Sequence, residues 1–510
     1  LNNNQELNYL RLTSCNRIIK NSIYNIKNLI KKIGIRAYIP TGYSMALLDE
    51  ENDILDLSNQ IISESDFELI GNYTKITKLS LKNIKIVDNN SKEIKNIDEV
   101  FNKVLSKLSK MQYLQLYGCN KLTNINFIEN MNDLKELDIR DTNVNDLSLI
   151  EKKKNNGTMN LGCLAVNTAI DLSCLSNTIS GFNGNRWDYW NSVDNTRHGG
   201  LLCQSDEAWA TLNGTDITSL KVHNKSSGKA DLTLCNKLNT VVLEGGAVLQ
   251  LPKCLTRIEG MNYATPILCK GSDIDYIEIF GGSFDNMFEQ LKKVNTIKKI
   301  DFSYSTLSKL NNITNLEGKN IKEIKIYITY SSTCDGKDFK IPSTVTSLKL
   351  ITGVNDFKIN NMPKNILSEN GTSLEYLQLN KFNLNSAEFV EDLTLLKSID
   401  LSENNINELP NLEKLKNLNT LKMSDCLIKD VYKLRNISWL NKLDLSNNSI
   451  YDTSTIFDES NNKININNLE ILANLNKLGN LRTLYLSGNN GITNWEALSK
   501  ITNWTEKSGW

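Results

Sequence analysis

Three stretches, LKSIDLSENNI (396–406), LNTLKMSDCLI (418–428) and LNKLDLSNNSI (440–450), start 22 residues apart and superimpose position for position. Working upstream, Leu374-x-x-Leu377-x-Leu379 precedes them by the same 22 residues, and LRTLYLSGNNGI (481–492) follows after a longer step. A fixed period of this length marks an array of stacked units rather than a globular core, so it decides the fold before any single residue is considered.

The physical logic of the unit can be read residue by residue. In L-x-x-L-x-L-x-x-N-x-I the L-x-L segment alternates with period two, as a strand does when one face is buried. Taking Leu421 as anchor, Leu421 and Met423 point inward, Cys426 and Ile428 follow, and Val431, Leu434 and Ile437 return the chain to Leu440. One such coil cannot bury its own apolar edge, so neighbours must stack, with strands about 4.8 Å apart in a parallel sheet. The turn asparagines, such as Asn404 and Asn448, carry an amide able to bond main-chain groups that a sharp bend leaves unpaired, a structural role.

These runs resemble the leucine-rich repeat superfamily, and Asn447-Asn448-Ser449-Ile450-Tyr451-Asp452 is similar to the internalin type of bacterial repeat. The resemblance implies an α/β repeat solenoid: a horseshoe or arc with a parallel β-sheet on its concave face and an irregular or helical convex side. Anchors extend upstream at Leu10, Ile33, Leu55, Leu79, Leu114, Leu137 and Leu164, and again at Leu220, Val241, Ile258, Ile277, Ile300, Ile324 and Leu348. In the middle repeats the asparagine is lost and a proline often leads the approach to the strand, as at Leu251-Pro252 and Ile341-Pro342, which resembles the BspA-like class. One solenoid over 1–510 is therefore expected, comprising N-terminal repeats (1–175), irregular Trp-rich coils (176–216), BspA-like repeats (217–373) and regular 22-residue repeats (374–510).

Departures from the ruler are where a repeat array gains loops. Lys82 to Lys110 lengthens one coil, and Ile97, Val100, Phe101, Val104, Leu105 and Leu108 have helical spacing. The step from Leu443 to Leu484 is 41 residues, so an insertion at about 452–469, rich in Asn and Ser, reads as an exposed loop.

Composition narrows the function classes. The 58 basic and 58 acidic side chains cancel, which argues against a nucleic-acid footprint, and no run reaches the roughly 18 apolar residues of a membrane span. Ten cysteines include no C-x-x-C pair, and His198 and His223 are the only histidines, so no zinc site of standard spacing, no other metal site and no cofactor is expected. Most of the cysteines read as reduced core thiols, with a disulfide framework as the alternative. There is no glycine-rich phosphate loop, no G-x-S-x-G elbow and no H-E-x-x-H, so no catalytic residues are expected and the chain reads as non-enzymatic. Residue 1 is Leu, which reads as a cut start; a missing leader then says nothing about secretion.

Strand positions between the inward leucines face solvent. Around Ile277, Ile300, Ile324 and Leu377 they include Tyr276, Phe280, Tyr304, Tyr327 and Tyr376, an aromatic stripe expected to bind a protein partner. Local β-propensity is the competing explanation for those rings. A second candidate is Trp187, Trp190 and Trp209 in the irregular coils, which would stack on a glycan, against the simpler reading that they fill a core short of leucines. Expected, then, is a non-enzymatic interaction module, extracellular or on a bacterial surface, with a glycan-binding adhesin or a structural spacer as alternatives.

Overall fold

The computed structural model describes residues 9–11, 36–41, 44–49, 54–72, 74–88, 90–159, 161–166, 170–175, 200–223, 226–244, 246–261, 266–281, 283–329, 333–457, 461–499 and 504–508. These fall into two compact units, Leu1–Cys269 and Lys270–Trp510.

In the first unit, parallel strands Ile54–Asp56, Lys78–Ser80, Tyr113–Gln115, Glu136–Asp138 and Cys163–Ala165 pair with Leu55, Leu79, Leu114, Leu137 and Leu164 in register. The ladder continues through Gly200–Leu202, Ser219–Val222, Thr240–Leu243 and Arg257–Met261, where Leu220, Val241 and Ile258 align. The anchor leucines are buried because they point into the space between the sheet and the returning chain. Upstream the ruler slips. Leu10 pairs with Ala37 rather than with residue 33, and Arg36–Thr41 and Ser44–Asp49 form an antiparallel pair that hands on, again antiparallel, to Ile54–Asp56. A repeat ruler assumes one parallel strand per coil and cannot register this detour.

In the second unit every pairing along the main ladder is parallel, and Ile277, Ile300, Ile324, Leu348, Leu377, Ile399, Leu421, Leu443 and Leu484 align strand by strand. All nine are at most 2% exposed. Strands shorten along the chain: Asp273–Phe280 has 8 residues and Thr296–Ser305 has 10, whereas Ser398–Asp400, Thr420–Lys422 and Lys442–Asp444 have 3 each. The short strands stop where the backbone turns left-handed: Glu403, Asp425, Asn447 and Gly488 have φ of 59°, 53°, 55° and 77°. Each stands immediately before the turn residue Asn404, Cys426, Asn448 or Asn489. At Gly488 a side chain would also meet Asn447 Oδ1 at 2.0 Å, so glycine alone fits.

The buried asparagines tie neighbouring coils together. Asn448 Nδ2 donates to the carbonyls of Met423 (2.8 Å) and Leu445 (3.0 Å), while its Oδ1 accepts from the Ile428 N–H at 2.9 Å. Asn404 does the same toward Leu379, Leu401, Phe382 and Leu384. Cys426 takes the asparagine's place, and its thiol donates to Leu401 O at 3.4 Å; Cys119 likewise donates to Leu81 O at 3.3 Å. Burial pushes the Cys119 thiol up to about 12, so it stays protonated and able to donate.

Away from the main sheet the coils are helical or irregular, or carry a second short strand, as in the parallel pairs Ile61–Ser63 with Lys85–Val87, Lys229–Asp231 with Val248–Gln250 and Thr333–Asp335 with Lys358–Asn360. Ile97–Leu105 is an α-helix that buries Ile97, Val100, Phe101, Val104 and Leu105. The insertion after Asp452 is not a loop. Thr453–Phe457 and Lys463–Asn467 form an antiparallel hairpin, followed by the helix Asn468–Lys477. Its signal was the β-branched alternation in TSTIF and KININ, which outweighs the Asn and Ser content.

Candidate binding surface

The five aromatic side chains expected to form one stripe all lie on the sheet of the second unit, but strand register separates them into two sets. Tyr276 stands in the row Tyr276–Lys299–Glu323–Ser347–Tyr376. Four strand spacings, roughly 19 Å, therefore lie between Tyr276 and Tyr376. Polar residues fill the gap. Tyr276 donates its hydroxyl to Glu278 Oε2 at 2.7 Å, and Lys299 Nζ lies 5.5 Å from its ring while pairing with Glu323 at 3.3 Å. Tyr376 is 45% exposed.

Phe280, Tyr304 and Tyr327 do come together. Their ring centroids are 4.6 Å apart from Phe280 to Tyr304 and 5.5 Å from Tyr304 to Tyr327, so one aromatic cluster spans three adjacent strands. A local irregularity makes this possible. Strict alternation from Asp301 would turn residue 304 into the core, but the register shifts between Phe302 and Ser305, so Ser303 and Tyr304 together oppose Tyr327. This is a β-bulge, and Tyr304 sits in it at φ 53°, left-handed. For a tyrosine that conformation costs about 1–2 kcal/mol, while each aromatic contact returns about 0.5–1.5 kcal/mol. The result is a side chain 45% exposed on the solvent face, with Ser305 returned to the core at 0%.

On the far side the cluster leans over Gly353. A β-carbon at Gly353 would stand 2.7 Å from the Tyr327 hydroxyl oxygen, so the ring's position depends on the missing side chain. Below the rings runs a charged row, Glu278–Asp301–Lys325–Lys349–Gln378. Asp301 is 8% exposed and holds Lys325 at 3.0 Å through Oδ2.

The tryptophan candidates fare differently. Trp209 lies on the helix Asp206–Ala210 and is wholly buried, with its indole N–H donated to Ser227 O at 2.9 Å. It presents no face to a sugar and is a core residue. Trp187 and Trp190 lie outside the described residues. Among the described residues no three His, Cys, Asp or Glu side chains group as a metal site would require, and no helix is long and apolar enough to cross a membrane. Six of the eight cysteines free of disulfides among the described residues are buried, Cys254 being exposed and Cys269 half-buried.

Sequence reasoning placed the cluster residues on the solvent face but missed Gly353 and the bulge. Neither breaks the apolar ruler, and a bulge adds one residue without a compositional mark.

No protein-family profile matches the chain, and no curated protein sequence matches it. Among solved structures, an internalin from Listeria monocytogenes is 16% identical over 96% of this chain and 94% of its own, with a TM-score of 0.23. A leucine-rich repeat protein of Leptospira interrogans is 17% identical over 80% of this chain and 98% of its own, at 0.34. The Arabidopsis receptor kinase HAESA, solved with a peptide hormone and a co-receptor, is 16% identical over 91% and 80%, at 0.32. The fold assignment rests on the chain's own geometry. With parallel strands laid coil after coil, the anchors Ile277 to Leu484 in register along the second unit's ladder, left-handed turns and a buried asparagine or cysteine that bonds the neighbouring coil, the chain has the leucine-rich repeat fold.

Proposed function

We propose that the second unit is a non-enzymatic binding module that takes a protein partner on the solvent face of its sheet, through Phe280, Tyr304 and Tyr327, in a bacterial protein that is secreted or surface-held. The observation that carries this reading is Tyr304, held left-handed in a bulge with its ring exposed between two others. Local strand packing does not require a strained backbone, whereas a contact surface gains from rigid rings that lose little entropy on binding. The bacterial setting follows from the resemblance of the 22-residue repeats.

The test is a cross-linked pull-down from host-cell and bacterial-surface extracts, comparing the native chain with two variants of matched thermal stability. One carries Phe280→Ala, Tyr304→Ala and Tyr327→Ala; the other carries Tyr276→Ala and Tyr376→Ala. Partner capture lost only in the first supports the cluster. Equal capture by all three, or loss only in the second, sinks it.

A further inference from the structure

On the sheet face of the second unit the strand lysines have an acid or a ring beside them among the described residues, and the exception stands next to the aromatic cluster. Lys299 pairs with Glu323 at 3.3 Å, Lys325 with Asp301 at 3.0 Å, Lys397 with Glu375 at 2.8 Å and Lys422 with Asp400 at 3.8 Å, each across one strand spacing. Lys442 lies 5.0 Å from the ring of Tyr485. Lys349, half-buried on the same face, has no acid, hydrogen-bond or ring partner among the described residues. Its register neighbours are Lys325 on one side and Gln378 on the other, and Gln378 turns its amide to Asn380. Two lysines thus stand directly opposite, an arrangement that costs stability. Lys325 cannot serve both needs. Asp301 is buried, its Oδ1 finds no donor, and Lys325 is the cation that compensates the carboxylate.

Lys349 is also close to the rings. Tyr327 pairs with Ile351, two residues beyond Lys349 on the same face, so the lysine lies on a diagonal of roughly 8 Å from Tyr327 given ordinary strand spacing and rise. Outward positions on this strand therefore read Lys349 and Ile351, and just past its end comes Gly353, whose missing side chain makes room for the Tyr327 hydroxyl: a cation, an apolar step and a phenol.

From this we infer that the partner presents a carboxylate side chain to Lys349 next to an aromatic or aliphatic side chain laid on Tyr304 and Tyr327. The inference rests on the binding reading above and names the chemistry of its occupant. A carboxylate on Lys349 would supply the missing counter-charge and relieve the lysine pair, and a rigid ring surface beside it would fix the apolar neighbour. A polyanion such as a sulfated glycan is disfavoured, because it needs a run of uncompensated cations and the neighbouring lysines are already paired.

The test uses fluorescence polarisation with three labelled peptides of one sequence, a central Phe flanked by Glu, by Gln or by Lys, against the full native chain. The Glu peptide is expected to bind about tenfold tighter than the Gln peptide, the worth of one charge-assisted hydrogen bond, and the preference should shrink as salt rises. Lys349→Ala should bring the Glu peptide to the level of Gln, and Lys349→Glu should shift the preference to the Lys peptide. Equal binding of the three, binding of none, or an unchanged preference in Lys349→Glu overturns the proposal, as does heparin binding that depends on Lys349 without any preference among the peptides. A Tyr304→Ala, Tyr327→Ala variant separates the two readings. If it binds all peptides as the native chain does, the aromatic surface itself falls; if rings matter and charge does not, only the carboxylate falls.

Discussion

At the scale of single residues, the turn asparagine and the bulged tyrosine do opposite things with the backbone. Asn448 satisfies buried main-chain groups of two coils, so Asn448→Ala takes the side-chain partner from the Ile428 N–H and the Met423 carbonyl, while the Leu445 carbonyl keeps its bond from Asn489 Nδ2 at 2.8 Å. The expected loss is about 3 kcal/mol in urea unfolding, and Asn448→Cys should fall between the two, since Cys426 recovers one such bond. Tyr304 carries strain instead. Tyr304→Gly should be more stable than Tyr304→Ala by about 1 kcal/mol, because glycine adopts φ 53° freely, while both variants lose the ring contacts and any binding through them. If Ala proves as stable as Gly, residue 304 relaxes out of the left-handed region and the strain argument fails. The asparagine role is legible in the sequence because it recurs at a fixed offset from the leucines. The tyrosine's candidacy is legible too, but its strained backbone is not, since strict period two would point residue 304 into the core and only pairing with the next strand exposes the bulge.

At the scale of elements, what the ruler reads is the coil, and what it misses is anything paired outside the ladder. The hairpin Thr453–Phe457 with Lys463–Asn467 is a local two-strand pairing, and the antiparallel pair Arg36–Thr41 with Ser44–Asp49 joins the main sheet out of sequence with the repeat, so neither enters the 22-residue pattern. The hairpin's inner side is thin: Ile466 is 4% exposed, but Phe457 is 64% exposed and Ile456 and Ile464 are only half-buried. A two-stranded hairpin with so little apolar cover is marginal by itself. Its amides are therefore expected to exchange hydrogen by local opening, orders of magnitude faster than those of Thr420–Lys422 and Lys442–Asp444 in the adjoining ladder. Asn468 at its base should remain protected, because its main-chain N–H donates to Asp452 O at 3.0 Å while its side chain accepts from Val431 N and donates to Tyr451 O. Exchange mass spectrometry showing hairpin and ladder protected alike would mean that the hairpin belongs to the cooperative core.

At the scale of the molecule, stability in a stacked array is a sum over neighbours, and this decides how damage spreads. Leu421 is fully buried and aligned between Ile399 and Leu443 on the two neighbouring strands. Leu421→Ala should cost about 2–5 kcal/mol, the usual range for such a truncation. The location of that loss is the more telling observable. Protection should fall in the Ser398–Asp400, Thr420–Lys422 and Lys442–Asp444 strands and stay near its native level in the Glu136–Asp138 and Cys163–Ala165 strands of the first unit. A uniform fall across all five would mean that the two units unfold as one. A graded fall would also explain why an aromatic surface on Asp273–Phe280, Thr296–Ser305 and Glu323–Ile328 can hold a strained tyrosine. Those strands are among the longest of their ladder, so the site draws its rigidity from its immediate neighbours and tolerates variation in distant coils.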